Sequence, residues 1–262
     1  MTRDLPGDLW KKLTSTVGLV CVRHDGGTDV MAAEWSYFVN KRPLCAAVVL
    51  GPRAASRRFL ESAGEFSVTL CAEEQAALAD FAGSFSVTDV DKTGSDLVRL
   101  GAPEATATPW VTGGVLAVEC RLRQAVPLPV HTLFIGEVVA AHLPERPPRP
   151  LVKHGAMHTL GEPVRRTEIV AAAELRHGDG DVLRVAATGP AADGPGEWRV
   201  TLLDTDGTPT PLGSHPSTRY DDLLVDIPLP AGIERHRLPG HRVLVERAGA
   251  QPGRTRISGT GR

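Results

Sequence analysis

"HTLFIGEVVAA", residues 131–141, reads as a core β-strand with two anomalies. Leu133, Phe134, Ile135, Val138 and Val139 are the apolar and β-branched residues that suit a buried pleated surface. The stretch nevertheless opens on His131 and Thr132, and it gives up a side chain at Gly136, next to Glu137. A glycine inside a strand marks a close backbone approach or a bulge.

Working outward, further strand candidates lie at 17–23, 28–35, 44–50, 65–71 and 115–126, with 132–142 as the last. Turn signals such as "HDGGT" and "VTGG" bound them. Two helices interrupt the series, "ASRRFLESA" and "EEQAALADFAGSF"; in the second, Ala77, Leu78 and Phe81 recur at helical spacing. Strands in this order lack the regular βαβ alternation of a doubly wound sheet, and they predict an antiparallel barrel.

A second composition begins beyond "HLPERPPRPLV", a stiff extended stretch because its prolines cannot continue a helix or a central strand. All five lysines, four cysteines and six phenylalanines lie at or before Lys153. The sequence therefore divides into a domain at 1–165 and another at 166–262, with the true boundary near Gly161–Arg166. The second part offers "DVLRVAATG", "EWRVTLLDTDGTPTPLG", "DDLLVDIPLP", "HRVLVER" and "TRISGTG", with Asp-Gly in "DTDGTP" as a hairpin signal. A small β-sandwich is the most economical packing for that set.

Composition narrows the function classes. Hydrophobic residues make up 42% and charged residues 23%, with a net charge of −2, as in a packed soluble domain. No basic block points to nucleic acid or to an anionic membrane, and the N-terminal stretch has no apolar run. A cytoplasmic protein is expected. Cys21, Cys45, Cys71 and Cys120 each sit in an apolar run without metal-ligand spacing, and they read as small core residues. A Walker loop, a G-x-G-x-x-G turn, a calcium loop and a nucleophile elbow are all absent.

Three stretches could carry chemistry. In "GPRAASRRFLES" a strand ends at Leu50, Gly51 and Pro52 turn the chain, and a helix starts near Ser56. Arg53, Arg57 and Arg58 crowd that helix start, where cations oppose the dipole and an anion would be welcome. A solvated basic turn is the alternative. In "DVMAAEWSYFVNKRPLCAAVVLGP" two strands flank an aromatic loop with small residues, open to a planar ligand or simply a crossover with Trp35 in the core. In "FAGSFSVTDVDKTGSDL" Lys92 is a point charge able to reach a phosphate or to pair with neighbouring aspartates.

These stretches, in this order and followed by "HTLFIGEVVAA", resemble the flavin reductase-like family with its FMN-binding split barrel. The resemblance covers roughly 1–165 and is carried by "DVMAAEW", "RPLCAAVVLGP", "GEFSVTLCAEE", "DVDK", "HTLFIGEVVAA" and the closing "HGAMHTLG". It implies a mainly β fold: a six-stranded split barrel with short helices, binding FMN near a homodimer interface. The small β-sandwich-like C-terminal domain would stand outside the family's minimal unit.

Carried over by position, the resemblance gives the flavin ring and ribityl chain contacts from Ala32, Ala33, Glu34, Trp35 and Ser36. Ser56, with Arg53 or Arg57 beside it, would hold the phosphate, with Gly51 also among the cofactor contacts and Lys92 close to the cofactor. His131 would be the catalytic-face residue, on the side open to nicotinamide. The strand is then core and its histidine end the lip of the site. Three departures stand out: Val87 and Thr88 replace a glycine and an arginine, "RAAS" replaces an arginine-aromatic-threonine run, and Lys41–Arg42 replaces an aspartate and a proline. The implied activity is an FMN-dependent NAD(P)H oxidoreductase using NADH or NADPH and serving free flavin, oxygen or a partner monooxygenase. The alternatives are a flavoenzyme acting directly on a small organic metabolite, and a split-barrel binding or scaffold protein without flavin. No metal, nucleic acid or membrane partner is expected.

Overall fold

The computed structural model describes residues 6–25, 27–164, 166–177, 180–190, 196–217 and 222–259. Gly26 of the "HDGGT" turn, Arg165 at the expected boundary, Asp221 and the end of "TRISGTG" lie outside them. The chain divides into two compact units, Met1–Gly161 and Glu162–Arg262. Among the described residues no helix is long and apolar enough to cross a membrane, and no group of three or more potential ligands could hold a metal ion.

The first unit is built on one antiparallel seven-stranded sheet. Its strands are β1 (Gly18–His24), β2 (Gly27–Ala33), β3 (Ser36–Lys41), β4 (Leu44–Leu50), β5 (Glu65–Leu70), β6 (Leu116–Pro127) and β7 (Thr132–His142), in the spatial order β2-β1-β5-β6-β7-β4-β3. Helix α1 (Ser56–Ala63) lies between β4 and β5, and α2 (Ala76–Ser84) follows β5. Strand β1 reads as an unbroken apolar run because both its faces are covered. Val20 and Val22 join Phe66, Val48 and Phe134 in the barrel core, while Leu19 and Cys21 pack with Leu78, Ala79 and Ala82 of α2. Leu60 of α1 is fully buried in the barrel cluster. Gly64, at φ 68°, ends α1, where a left-handed residue costs glycine nothing.

The four cysteines are free and buried. Burial pushes the thiols of Cys21, Cys71 and Cys120 up to about 12, so they are protonated packing groups at neutral pH.

Two local readings change. The aromatic loop expected after Ala33 is only the turn 34–35, and Ser36–Lys41 forms the edge strand β3. Every residue of β3 beyond Ser36 is exposed, so no alternation of apolar and polar side chains marks it. The proline stretch is not a free connector. It packs on the first unit through Glu73 N–H to Arg149 C=O at 2.8 Å and Leu151 N–H to Cys71 C=O at 3.0 Å. It then enters the hairpin Leu151–His154/Ala156–Thr159 that "HGAMHTLG" closes.

Gly136 has a specific packing reason. A Cβ there would lie 2.6 Å from the Phe66 ring and 2.8 Å from Cys120 Cβ, and the β7–β6 register shifts between Ile135 and Gly136. The missing side chain makes room for the Phe66 ring at a bulge. Glu137 beside it ion-pairs with Arg123 on β6.

The second unit is one seven-stranded sheet around its own core. Its strands are β8 (Val170–His177), β9 (Asp181–Thr188), β10 (Gly196–Leu203), β11 (Pro209–Ser217), β12 (Leu223–Pro228), β13 (Arg242–Glu246) and β14 (Gly253–Ser258), ordered β11-β10-β13-β14-β8-β9-β12. Two antiparallel groups meet through a short parallel pairing, Ala173↔Ile257 and Glu174↔Ser258, preceded by a parallel bridge between Glu168 and Gln251. The "DTDGTP" turn joins β10 to β11, with Asp204 Oδ1 accepting from the Asp206 and Thr208 N–H groups and Gly207 at φ 86°. Strand β8 had no signal: "VAAAELRH" is alanine-rich, and pairing with β9 overrides its helical propensity.

Candidate functional site

Register builds the site. Thr132 pairs with Leu50, so the residues just outside that pair, His131 and Gly51, fall side by side. A Cβ on Gly51 would stand 3.6 Å from the His131 imidazole. The imidazole also meets Trp35, with ring centroids 5.4 Å apart and tilted by 52°. Trp35 is fixed by the Val49 N–H, which donates to its carbonyl at 3.0 Å.

From Gly51 the chain turns, closed by Ala54 N–H to Gly51 C=O at 3.2 Å, and α1 begins at Ser56. The Ser56 hydroxyl donates to Asp29 Oδ2 of β2 at 2.5 Å. Lys92 Nζ lies 2.9 Å from the other carboxylate oxygen of Asp29 and donates to the Phe85 carbonyl at 2.9 Å. Asp29 and Lys92 are each only 2% exposed. Lys92 is held there by its neighbour: Asp91 accepts from the Thr93 N–H at 2.9 Å and hydroxyl at 2.6 Å, capping a short turn. Those two bonds also hold the exposed Asp91 carboxyl below its ordinary range. One buried carboxylate therefore ties together β2, the start of α1, the end of α2 and the loop that follows it.

These groups surround a cleft of about 690 Å³, within the range of small-molecule sites. The turn 51–56 forms one wall, the loop 82–89 the other, and Asp29, Lys92, His131 and Met31 complete it. Of the residues expected from the sequence, Gly51, Arg53, Ser56, Lys92 and His131 converge here. Arg57 lies in an adjoining cavity that also includes Arg53. Ala32, Ala33, Glu34, Trp35 and Ser36 do not line the cleft. Ser36 is fully buried, donates to the Ala33 carbonyl at 3.0 Å and presses on Gly18, where a Cβ would lie 2.4 Å from its hydroxyl. Ala32 packs toward α2, 3.5 Å from where a Gly83 Cβ would be.

Asp29 is the cleft residue that sequence reasoning passed over. Its signal was an acid set in a strand of small and apolar residues, which requires a buried partner. Lys92 was read as pairing with its sequence neighbours or reaching a phosphate; its partner is instead 63 positions away on β2.

The donor set fits a flavin nucleotide. Arg53 makes no ion pair among the described residues. It lines the cleft together with Ser86 and Thr88, residue types that suit a phosphate. The negative charge of Asp29 is matched by Lys92, so it does not repel an anion at that end. Asp89, also on the wall, is engaged by the Ser86 N–H at 2.8 Å. Gly51, Met31, Val130 and His131 line the same cleft and add no carboxylate to it.

Residues 10–161 match the family described as "Flavin reductase like domain". The actinorhodin polyketide dimerase of Streptomyces coelicolor is 29% identical over 141 residues, which cover 53% of this chain and 76% of that protein. The reductase component of the FADH(2)-dependent resorcinol hydroxylase of Rhizobium sp. is 30% identical over 155 residues, covering 57% and 81%. Among solved structures, the FMN-binding protein of Thermus thermophilus with bound 1-cyclohex-2-enone superposes at TM-score 0.56 with 24% identity, over 63% of this chain and 96% of that one. Flavoredoxin of Methanosarcina acetivorans superposes at TM-score 0.54 with 22% identity, over 63% and 94%. These structural likenesses speak for the fold, a split barrel. The chain belongs to the flavin reductase-like family, as an enzyme whose first unit is that family's split β-barrel.

Proposed function

We propose that the first unit holds FMN in the cleft between the 51–56 turn and the 82–89 loop, and acts as an NAD(P)H oxidoreductase. Bound flavin would supply the redox chemistry, accepting hydride from NADH or NADPH and passing electrons to an acceptor. The observation that carries the reading is the convergence, on one cleft, of Arg53, which makes no ion pair among the described residues, and the His131 imidazole.

In this reading Arg53 binds the phosphate, and Ser56 and Lys92 act through Asp29 to set the separation of the walls. His131, resting on Gly51 and tilted against Trp35, orients the nicotinamide; it is not assigned a proton transfer. The acceptor is a partner monooxygenase or free flavin, a choice supported by the relative named as a hydroxylase's reductase component. A second reading, direct action on an organic substrate, draws on the likeness to the polyketide dimerase.

Steady-state NAD(P)H oxidation with added FMN tests the proposal and separates the two. Turnover with flavin and oxygen alone supports the reductase, turnover only with an organic substrate supports the second reading, and no turnover under either condition contradicts both. Arg53→Ala is expected to weaken FMN binding about tenfold, the scale of one charge-assisted phosphate contact, as measured by calorimetric titration. His131→Ala should raise the KM for the nicotinamide about tenfold while leaving FMN affinity within about twofold. An unchanged KM would return His131 to the role of strand-end packing.

A further inference from the structure

We propose that the second unit carries a docking surface for a partner protein, on which an acidic amphipathic helix seats against the arginines of β13 and β14. The surface lies outside residues 10–161, which match the family, and it does not depend on the flavin reading. Side chains alternate between the two faces of these strands. Val243, Val245 and Ile257 belong to the core, while Arg242, Arg254 and Arg256 are exposed on the other face. Register sets Arg242 directly opposite Arg256, and Arg254 opposite Leu244. Like charges directly opposite each other destabilise a sheet.

Elsewhere on that face charges are matched. Glu246 stands opposite Arg199 on β10. Glu174 on β8 is taken by Arg176 at 3.0 Å, and Arg184 on β9 ion-pairs with Asp226 on β12. Arg242, Arg254 and Arg256 make no ion pair among the described residues. Carboxylates from outside would offset their repulsion and accept paired N–H donors. Leu203 and Leu244, half-buried on the same face, set apolar surface beside them, and arginine around an apolar centre is the make-up of a protein interface. Residues 162–262 contain thirteen arginines, no lysine and fourteen acidic residues, so the unit has no net positive field to draw in nucleic acid or an anionic membrane. The spacing suits a helix. Neighbouring strands stand about 4.8 Å apart and alternate residues about 6.8 Å, close to the roughly 5–6 Å between helix residues three or four apart. Edge strand β11 carries Pro209, Pro211 and Pro216, which oppose strand addition there and leave the side-chain face as the contact.

Fluorescence anisotropy of a labelled synthetic peptide titrated with the full chain tests this, the peptide carrying glutamates three and four apart beside a leucine stripe. It should bind saturably with a Kd on the order of 10 μM, and its glutamine counterpart about tenfold more weakly. Arg242→Gln/Arg256→Gln should weaken peptide binding about tenfold and at the same time raise the Tm of the unbound chain by about 1–3 °C, because it removes a repulsive pair. Arginines with a merely structural role would give the opposite Tm change. No saturable binding, binding that survives the double variant, or a Tm that does not rise would each overturn the inference. Tighter binding of a single-stranded oligonucleotide or of phosphatidylserine vesicles than of the peptide would overturn it too, by assigning the arginines to phosphate.

Discussion

Replacing Asp29 with alanine is expected to lower the unfolding free energy by about 3–5 kcal/mol, the range for breaking a buried ion pair from one side. The cause is the group left behind. Lys92 is buried at the cleft wall, and without Asp29 its ammonium keeps, among the described residues, the Phe85 carbonyl alone. The Ser56 hydroxyl loses its acceptor at the same time. Asp29→Asn should fall between alanine and the natural residue, because the amide oxygen still accepts from one of the two donors. Removing both charges, as in Asp29→Leu/Lys92→Met, should recover much of the loss, since apolar residues of similar size need no compensation. Urea unfolding of the three variants measures this, and an alanine loss below about 1 kcal/mol would contradict the assignment of Asp29 as the tie between the cleft walls. Flavin affinity should fall along with stability in the alanine variant, because both walls loosen.

The second large effect is predicted at Glu119, a fully buried carboxylate on β6. Burial pushes its carboxyl up, but the N–H groups of Glu104 and Ala105, the His142 imidazole and the Thr106 hydroxyl outweigh burial and hold it at about 2, against an ordinary 4.5. Those contacts run from 2.7 to 2.9 Å and anchor the 104–106 segment to the barrel. Because the folded value is depressed, the stabilisation is fully present above pH 4.5 and is lost as pH falls toward 2. Its size at neutral pH is about 3 kcal/mol. Glu119→Gln should therefore be less stable than the natural chain at neutral pH, with the gap closing through that acid window. A gap that does not change with pH would contradict the charged, multiply bonded Glu119.

Asp29 and Glu119 also mark the limit of what the sequence discloses. Both are acids embedded in strands, "TDVMAA" and "LAVECRL", and each strand was legible from its apolar neighbours. Their partners were not, because Lys92 and the 104–106 segment are brought in by folding and share no local pattern with them. The barrel strands and both helices were readable because burial on one or two faces leaves a period or an unbroken apolar run. Edge strand β3 left neither, since Tyr37 through Lys41 are all exposed. The convergence of Gly51 and His131 is a consequence of the β4–β7 register, which no single strand specifies.

Ser56 shows a hydroxyl whose partner the sequence does not disclose. The residue begins α1 and lines the cleft, and its proton is committed to Asp29, which ties the turn to β2. Gly136 shows the reverse. The sequence marked it as a bulge or close approach, and both hold, with the Phe66 ring as the group that comes near.

The central claim is that the cleft between the 51–56 turn and the 82–89 loop binds flavin. Titrating the purified full chain with FMN while following flavin fluorescence tests it most directly. Saturable quenching with a Kd on the order of 1 μM or below, weakened by Arg53→Ala, is the predicted result. Fluorescence that falls only in proportion to dilution, with no saturation and no response to Arg53, would contradict it.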